Sequence, residues 1–224
     1  MSNLRQHKHR RFGAPLRIAG ALALALLCNI AALAQANDDL IFAVINDRVS
    51  LVKQLLGQGA DANAVDAQGD PMLLLAARNG SIGSVDVLLA GGAKVNARNP
   101  AGDSALMAAA ITGNLELAKK LRQRGADIEG PGWTPLIYAA TGGNEAMITY
   151  LLAEGANINA VSPNGTTALM MAIREGKASA ATLLLSKRPD VNKRNQNGAT
   201  ALAWAKRGNE TALAEALRRA GAVE

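Results

Sequence analysis

Gly132-Trp-Thr-Pro-Leu-Ile-Tyr-Ala-Ala140 is the clearest copy of a pattern that recurs through most of the chain. The anchor glycines of successive copies are separated by 33, 30, 33 and 33 residues; they are Gly69, Gly102, Gly132, Gly165 and Gly198. A second pattern, seen in Leu151-Leu-Ala-Glu-Gly-Ala-Asn-Ile-Asn159, keeps the same phase. A fixed period of this length indicates a solenoid of stacked units, in which each unit buries its apolar face only against its neighbours.

The unit over residues 66–98 shows how the pattern translates into secondary structure. The segment Asp66-Ala-Gln-Gly69 favours a turn, and Pro71 suits the start of a helix, where its missing N–H is not needed. The spacing predicts a first helix over residues 72–79, ended by Gly80, and a second over residues 82–90 with apolar residues on one buried face. The sequence therefore predicts an all-α fold of helix–turn–helix units with protruding loops.

In both patterns the chain resembles the ankyrin repeat family, whose copies read Gly-x-Thr-Pro-Leu-His-x-Ala-Ala and Leu-Leu-x-x-Gly-Ala-x-x-Asn. The resemblance extends from about Asp38 to Ala222. It implies an ankyrin repeat solenoid of about six units, with atypical caps at the two ends, where one face of the unit meets water. The units comprise residues 37–65, 66–98, 99–129, 130–161, 162–194 and 195–224.

Three features depart from the family pattern. The histidine of the Thr-Pro-Leu-His phrase is replaced in every copy, for example by Ile137, so its hydrogen bonds across neighbouring turns are not expected. We call the protruding loop between two successive units a finger. The loop Glu129-Gly-Pro-Gly132 is three residues shorter than the others, which predicts a truncated finger between the third and fourth units. Arg188-Pro189 replaces Gly-Ala, so the second helix of the fifth unit is expected to end without its left-handed glycine.

The first 36 residues have the layout of a secretory signal peptide. Five basic residues between Arg5 and Arg17 precede an apolar stretch over residues 18–34, with cleavage frames at Ala32-Leu-Ala34 and Ala34-Gln-Ala36. The apolar run is interrupted by Asn29 and falls short of the about 20 residues that a membrane anchor needs. General export with cleavage is therefore predicted, in preference to the twin-arginine route or a lipoprotein. The protein is expected to be periplasmic or secreted.

Removal of this leader changes what the composition implies. The full chain has a net charge of +6, but the leader contains five Lys/Arg and no Asp or Glu, which leaves +1 for residues 37–224. A clustered basic face of the kind that binds nucleic acid is then not expected. Both histidines and the single cysteine also lie in the leader. We therefore expect no metal site, no cofactor and no enzyme, because thiolate and imidazole groups are missing from residues 37–224.

The resemblance implies that a partner protein binds in a concave groove formed by the loop tips and the first helices. The expected partner-binding residues are an apolar strip, Trp133, Tyr138, Met171 and Trp204, and a polar margin, Asp70, Arg78, Asp103 and Arg174. Aromatic side chains are typical interface anchors, and Trp133 follows a glycine in a turn with little core to join, which favours binding. Tyr138 and Trp204 fit binding and helix packing equally well, whereas Phe42 is expected to seal the first unit.

The sequence thus indicates a monomeric interaction module that binds another exported protein, and neither nucleic acid nor, after cleavage, a membrane. Two other functions remain open at this point. One is an accessory or protective factor that binds a small ligand or a cell-wall fragment in the same groove. The other is a secreted effector that acts on host proteins.

Overall fold

The structure of the chain is a computed structural model that describes residues 35–223. Within these residues the chain forms twelve helices: α1 (35–45), α2 (Val49–Gly57), α3 (Met72–Asn79), α4 (Ile82–Ala90), α5 (Ala105–Thr112), α6 (Leu115–Gln123), α7 (Pro135–Gly142), α8 (Glu145–Ala153), α9 (Ala168–Arg174), α10 (Ala178–Ser186), α11 (Ala201–Arg207) and α12 (Thr211–Arg219). The predicted leader lies outside the described range except for residues 35 and 36, which belong to α1. None of the helices within residues 35–223 combines the length and the apolar character needed to cross a bilayer.

The helices form two layers. The inner layer stacks the first helices of the units in the order α3, α5, α7, α9 and α11. In the outer layer α2 packs against α4, α6 packs against α8, and α10 packs against both α8 and α12. A continuous hydrophobic core runs from Leu40 to Leu217. The predicted all-α solenoid is therefore confirmed, and α3 and α4 span the predicted residues 72–79 and 82–90.

The inner helices are short and rich in small apolar residues, which lets them pack closely. Every residue of α5 from Ala105 to Ala110 is buried. At Gly142 of α7 an added Cβ would lie 2.4 Å from the carbonyl oxygen of Ile111, so the contact between α5 and α7 requires glycine at this position. Side-chain hydroxyls that accept a hydrogen bond from a backbone N–H cap the starts of α5, α7, α9 and α11; they belong to Ser104, Thr134, Thr167 and Thr200.

An asparagine ladder connects the loops of neighbouring units. The side-chain amide of Asn96 donates to the carbonyl oxygen of Gly125 at 3.1 Å, and its side-chain oxygen accepts from the backbone N–H of Asp127 at 2.7 Å. The same two contacts to the following unit are made by Asn63 and Asn192. At the truncated finger Glu129 takes the ladder position, and its carboxylate accepts from the N–H of Asn157 at 2.8 Å. The ladder therefore holds adjacent loops at a regular spacing.

The N-terminal unit differs from the sequence prediction at Phe42. Its side chain is 54% exposed, and the guanidinium of Arg48 lies 5.6 Å from the ring centroid. The buried face of α1 consists instead of Leu40, Ala43 and Val44. The prediction that Phe42 seals the first unit is wrong, because helical spacing points position 42 away from the face that carries positions 40, 43 and 44.

Candidate functional site

An ion-pair network lies in the groove between the second and third units. Arg78, in the last turn of α3, donates from Nη1 to Asp70 Oδ2 and from Nη2 to Asp103 Oδ2, the latter at 2.9 Å. The side-chain amide of Asn99 donates to Asp70 Oδ1 at 2.7 Å. Because each aspartate directly follows an anchor glycine, the period of the sequence brings two carboxylates to one guanidinium.

Tyr138 extends this network to the fourth unit. Its hydroxyl, on α7, donates a hydrogen bond to Asp103 Oδ1. Burial raises the pKa of Tyr138 well above its usual value. The hydrogen bond to Asp103 and the negative charge of Asp103 raise this pKa further, while the charge of Arg78 acts in the opposite direction. The phenol therefore stays protonated at neutral pH and acts as a hydrogen-bond donor.

Trp133 lies against Tyr138 beside the truncated finger. Their ring centroids are 5.8 Å apart and their planes are inclined by 53°, a favourable tilted arrangement for two aromatic rings. Both side chains are half-buried and pack against the hydrophobic core. Tyr138 also lines a cavity of about 200 Å³ together with Arg78, Asp103 and Ile111. We define the groove centre as Asp70, Arg78, Asp103, Trp133 and Tyr138.

The truncated finger is closed differently from its neighbours. Antiparallel bridges close three of the fingers in the described chain, between Val65 and Pro71, Arg98 and Ser104, and Val161 and Thr167. Residues 129–132 have no such bridge within the part that the structure describes. The Arg98 guanidinium packs there instead, since a Cβ added to Gly130 would lie 2.3 Å from its Nη2. Gly130 of the short loop thus leaves room for the Arg98 side chain of the preceding finger.

A second cluster occupies the C-terminal end of the groove. Arg174 ends α9, and its guanidinium lies 5.9 Å from the centroid of the Trp204 ring, within the range of a cation–π contact. Arg174 and Trp204 line a cavity with a volume of about 440 Å³. Arg207, at the end of α11, lines the same cavity. We define the C-terminal cavity by the lining residues Ile173, Arg174, Asn195, Asn197, Trp204 and Arg207.

Seven of the eight predicted partner-binding residues fall into these two clusters, and Met171 falls into neither. Its side chain is 2% exposed, because α9 packs between α7 and α11. The prediction that Met171 belongs to an exposed apolar strip is therefore wrong. Leu75 and Ala108 occupy the same position of their units and are also buried. Among the described residues at this position, Tyr138 and Trp204 are half-buried and Phe42 of the first unit is exposed.

Asp70 does not form an exposed margin as predicted. It is 6% exposed, and its two carboxylate oxygens accept from Arg78 and Asn99. A buried carboxylate that is satisfied in this way supports neighbouring side chains and is not available to a partner. Asp70 therefore holds Arg78 in place, while Arg78 and Asp103 reach the surface of the groove.

Sequence reasoning missed Asn99 and Arg207. Ile111, near the end of α5, is 39% exposed and lines the cavity beside Tyr138. Arg207 has the same register as Arg78 and Ile111, so a comparison of helix ends extended to the last unit was the available signal. Asn99 carried no distinguishing signal, because an asparagine at that place also fits an ordinary turn. Within residues 35–223 no three His, Cys, Asp or Glu side chains are grouped closely enough to hold a metal ion.

Comparisons with known proteins agree with this architecture. A family model described as ankyrin repeats (3 copies) matches residues 40–131 and 129–195. The chain is 32% identical to an ankyrin repeat domain from Acinetobacter baumannii whose crystal structure is known. That match covers 82% of this chain and 98% of the other, with a TM-score of 0.71. A search of curated protein sequences found no match.

Proposed function

Since the chain belongs to the ankyrin repeat family, whose repeats are generally protein–protein interaction modules, we propose that it binds a partner protein through the groove centre. One observation carries this proposal. Trp133 and Tyr138 are in contact and half-buried, and the hydroxyl of Tyr138 is held by Asp103. Half-buried aromatic residues in a groove are characteristic anchors of protein interfaces.

The network supports binding because it orders the groove centre before a partner arrives. Asp103 accepts from both Arg78 and Tyr138, so three side chains from three units hold one another in place. Immobilising a flexible side chain on binding costs about 0.5–1.5 kcal/mol, and preorganisation reduces that cost. A partner that covers the aromatic pair also excludes water from the charged network and strengthens its interactions.

A binding role without catalysis fits the composition of the chain. Residues 37–224 contain no histidine and no cysteine. In the groove centre the carboxylates and the guanidinium are engaged with one another, and the raised pKa of Tyr138 disfavours the phenolate that a base or nucleophile would need. We therefore assign no reaction to this groove.

We also propose that the protein is exported and binds another exported protein, in the periplasm or after secretion. The basic segment, the apolar stretch and the two cleavage frames of the first 36 residues support this part of the proposal. N-terminal sequencing of protein isolated from its native host is expected to give a chain that begins at Gln35 or Asn37. A chain that retains Cys28, free or lipidated, would contradict export with cleavage.

Site-specific cross-linking tests which face of the solenoid meets the partner. Because residues 37–224 contain no cysteine, a single cysteine can carry a photoreactive label at any chosen position. Ile111→Cys places the label in the groove, and Thr149→Cys places it on an exposed position of outer helix α8. We expect a discrete cross-linked protein from Ile111→Cys and none from Thr149→Cys. Equal or stronger cross-linking from Thr149→Cys would overturn the assignment of the binding face.

A further inference from the structure

Three arginines occupy one register position at the groove-side ends of inner helices. Arg78, Arg174 and Arg207 lie in the last turns of α3, α9 and α11, respectively. Their sequence spacing matches the spacing of the anchor glycines Gly69, Gly165 and Gly198. Each unit concerned therefore presents a guanidinium at an equivalent place along the groove.

The three guanidinium groups differ in how they are neutralised. Arg78 binds two aspartates, each of which directly follows an anchor glycine. The fifth and sixth units have Thr166 and Ala199 at that position, so the equivalent carboxylates are missing. Arg174 pairs with its exposed neighbour Glu175 at 2.8 Å, and Arg207 makes no ion pair within the described residues.

The C-terminal cavity joins these two arginines to an aromatic surface. Arg174 and Arg207 line it together with Trp204, Asn195 and Asn197. Two guanidinium groups offer charge-assisted hydrogen bonds to carboxylates, and an indole ring offers apolar contact to an adjacent side chain. A cavity of about 440 Å³ accommodates a few residues of a partner rather than a single ion.

The charge distribution along the solenoid favours the same kind of ligand. Residues 37–161 contain nine Lys/Arg and thirteen Asp/Glu, whereas residues 162–224 contain ten Lys/Arg and five Asp/Glu. The first four units thus have a net charge of −4 and the last two a net charge of +5. A field of this polarity steers an acidic segment toward the C-terminal end of the groove.

We propose that the C-terminal cavity binds an acidic segment of the partner protein, with a carboxylate at Arg174 and Arg207 and a neighbouring apolar side chain against Trp204. The inference rests on the proposed function, since it names the chemistry of one part of the partner. The external carboxylate takes the place that Asp70 and Asp103 occupy around Arg78.

A peptide-binding measurement tests this proposal. The chain has two tryptophans, so Trp133→Phe leaves Trp204 as the only indole reporter. The probe is a short peptide of alternating glutamate and leucine with blocked termini, compared with the same peptide carrying glutamine in place of glutamate. We expect the glutamate peptide to change Trp204 fluorescence and to bind at least about tenfold more tightly than the glutamine peptide.

Matched substitutions separate the cavity from the general field of the basic units. We expect Arg174→Gln and Arg207→Gln each to weaken binding of the glutamate peptide by about tenfold or more. Lys187→Gln removes the same charge at an exposed position after α10, outside the cavity, and is expected to change binding by less than about threefold. Equal affinity for the two peptides, or equal effects of all three substitutions, would overturn the proposal.

This measurement is independent of the cross-linking test, because it uses a defined peptide and a chain without Trp133. If the peptides bind alike while Ile111→Cys still cross-links a partner, acidic recognition is wrong and protein binding at the groove centre stands. If the glutamate peptide binds as expected while Ile111→Cys cross-links nothing, recognition of acidic segments is supported and the groove centre is wrong.

Discussion

The hydroxyl of Tyr138 donates a hydrogen bond to the carboxylate of Asp103, a residue 35 positions earlier in the chain. Asp103 also binds Arg78, which binds Asp70, so one chain of contacts passes through three consecutive units. In a solenoid each unit contacts only its neighbours, and stability is close to a sum of units and interfaces. A polar chain across two interfaces therefore couples the geometry of the groove to the stacking of the units.

Removal of the Tyr138 hydroxyl is expected to lower the free energy of unfolding by a modest amount. Tyr138→Phe keeps the ring against Trp133 and deletes one hydrogen bond to a charged acceptor, so we expect unfolding to become easier by about 1–3 kcal/mol near neutral pH. Tyr150→Phe is the matched control, because Tyr150 lies on outer helix α8 away from Asp103. Urea denaturation of both variants measures the difference. Equal losses would show that the Tyr138 hydrogen bond contributes nothing specific.

The raised pKa of Tyr138 predicts a dependence of stability on alkaline pH. The folded pKa lies above the unfolded value of about 10, so the folded state keeps a proton that the unfolded state loses. This contribution is complete below pH of about 10 and is lost as the pH rises toward the folded pKa. Above pH of about 10 the free energy of unfolding should fall more steeply for the unmodified chain than for Tyr138→Phe. Parallel pH profiles would contradict the assignment.

A buried leucine tests the packing between units. Leu136 of α7 is 1% exposed, and Leu136→Ala is expected to lower the free energy of unfolding by about 2–5 kcal/mol. Thr149→Ala, at an exposed position of the same unit, should stay within about 0.5 kcal/mol. The exposed Asn164 is unsuitable as a control, because its side-chain oxygen accepts from Ser162 Oγ at 2.6 Å. Similar denaturation midpoints for Leu136→Ala and Thr149→Ala would contradict the stacked core.

Arg188 shows how the fifth unit manages without its loop glycine. Its φ is 56°, in the left-handed region that glycine occupies in other units at Gly59, Gly92, Gly125, Gly155 and Gly221. Arg188→Gly and Arg188→Ala remove the same charge, but only glycine relieves the left-handed strain. We expect the glycine variant to be more stable than the alanine variant by about 1 kcal/mol. Thermal unfolding compares them, and an alanine variant of equal or higher stability would contradict a strained Arg188.

The helices were predictable from sequence because their limits depend on residues close together in the chain. The start of α3 follows Pro71 and its end is at Gly80, so the signal for each limit lies within a few residues of it. The same holds for the truncated finger, whose missing residues are visible as a shorter spacing. Local turn and cap chemistry therefore accounts for most of the fold.

The groove centre was predictable only in part. The repeat register placed Arg78, Asp103 and Tyr138 on one surface, but their hydrogen bonds depend on the distance between units, which the packing of inner helices determines. The register also could not show how deeply the next helix covers a given position. Met171 was misplaced for this reason, since it has the same register as Tyr138 but is buried.

The central claim concerns the aromatic pair of the groove centre, and two variants probe it. Trp133→Ala deletes the anchor, although the half-buried ring also packs on Tyr138. Ile111→Arg leaves that packing intact and places a bulky charge on an exposed groove position. Thr149→Arg is the matched control, because it places the same charge on an exposed position of outer helix α8, outside the groove.

The most direct test is quantitative capture of partner proteins from an extract of the native host by the immobilised chain, read by mass spectrometry. We expect one protein to be retained in stoichiometric amount by the unmodified chain and by Thr149→Arg. The same protein should bind Trp133→Ala at least about 30-fold more weakly, equivalent to about 2 kcal/mol. The Ile111→Arg variant should no longer capture the same protein, while the unfolding midpoint of the variant stays unchanged. Full retention by folded Trp133→Ala and by folded Ile111→Arg would contradict the assignment of the groove centre as the binding site.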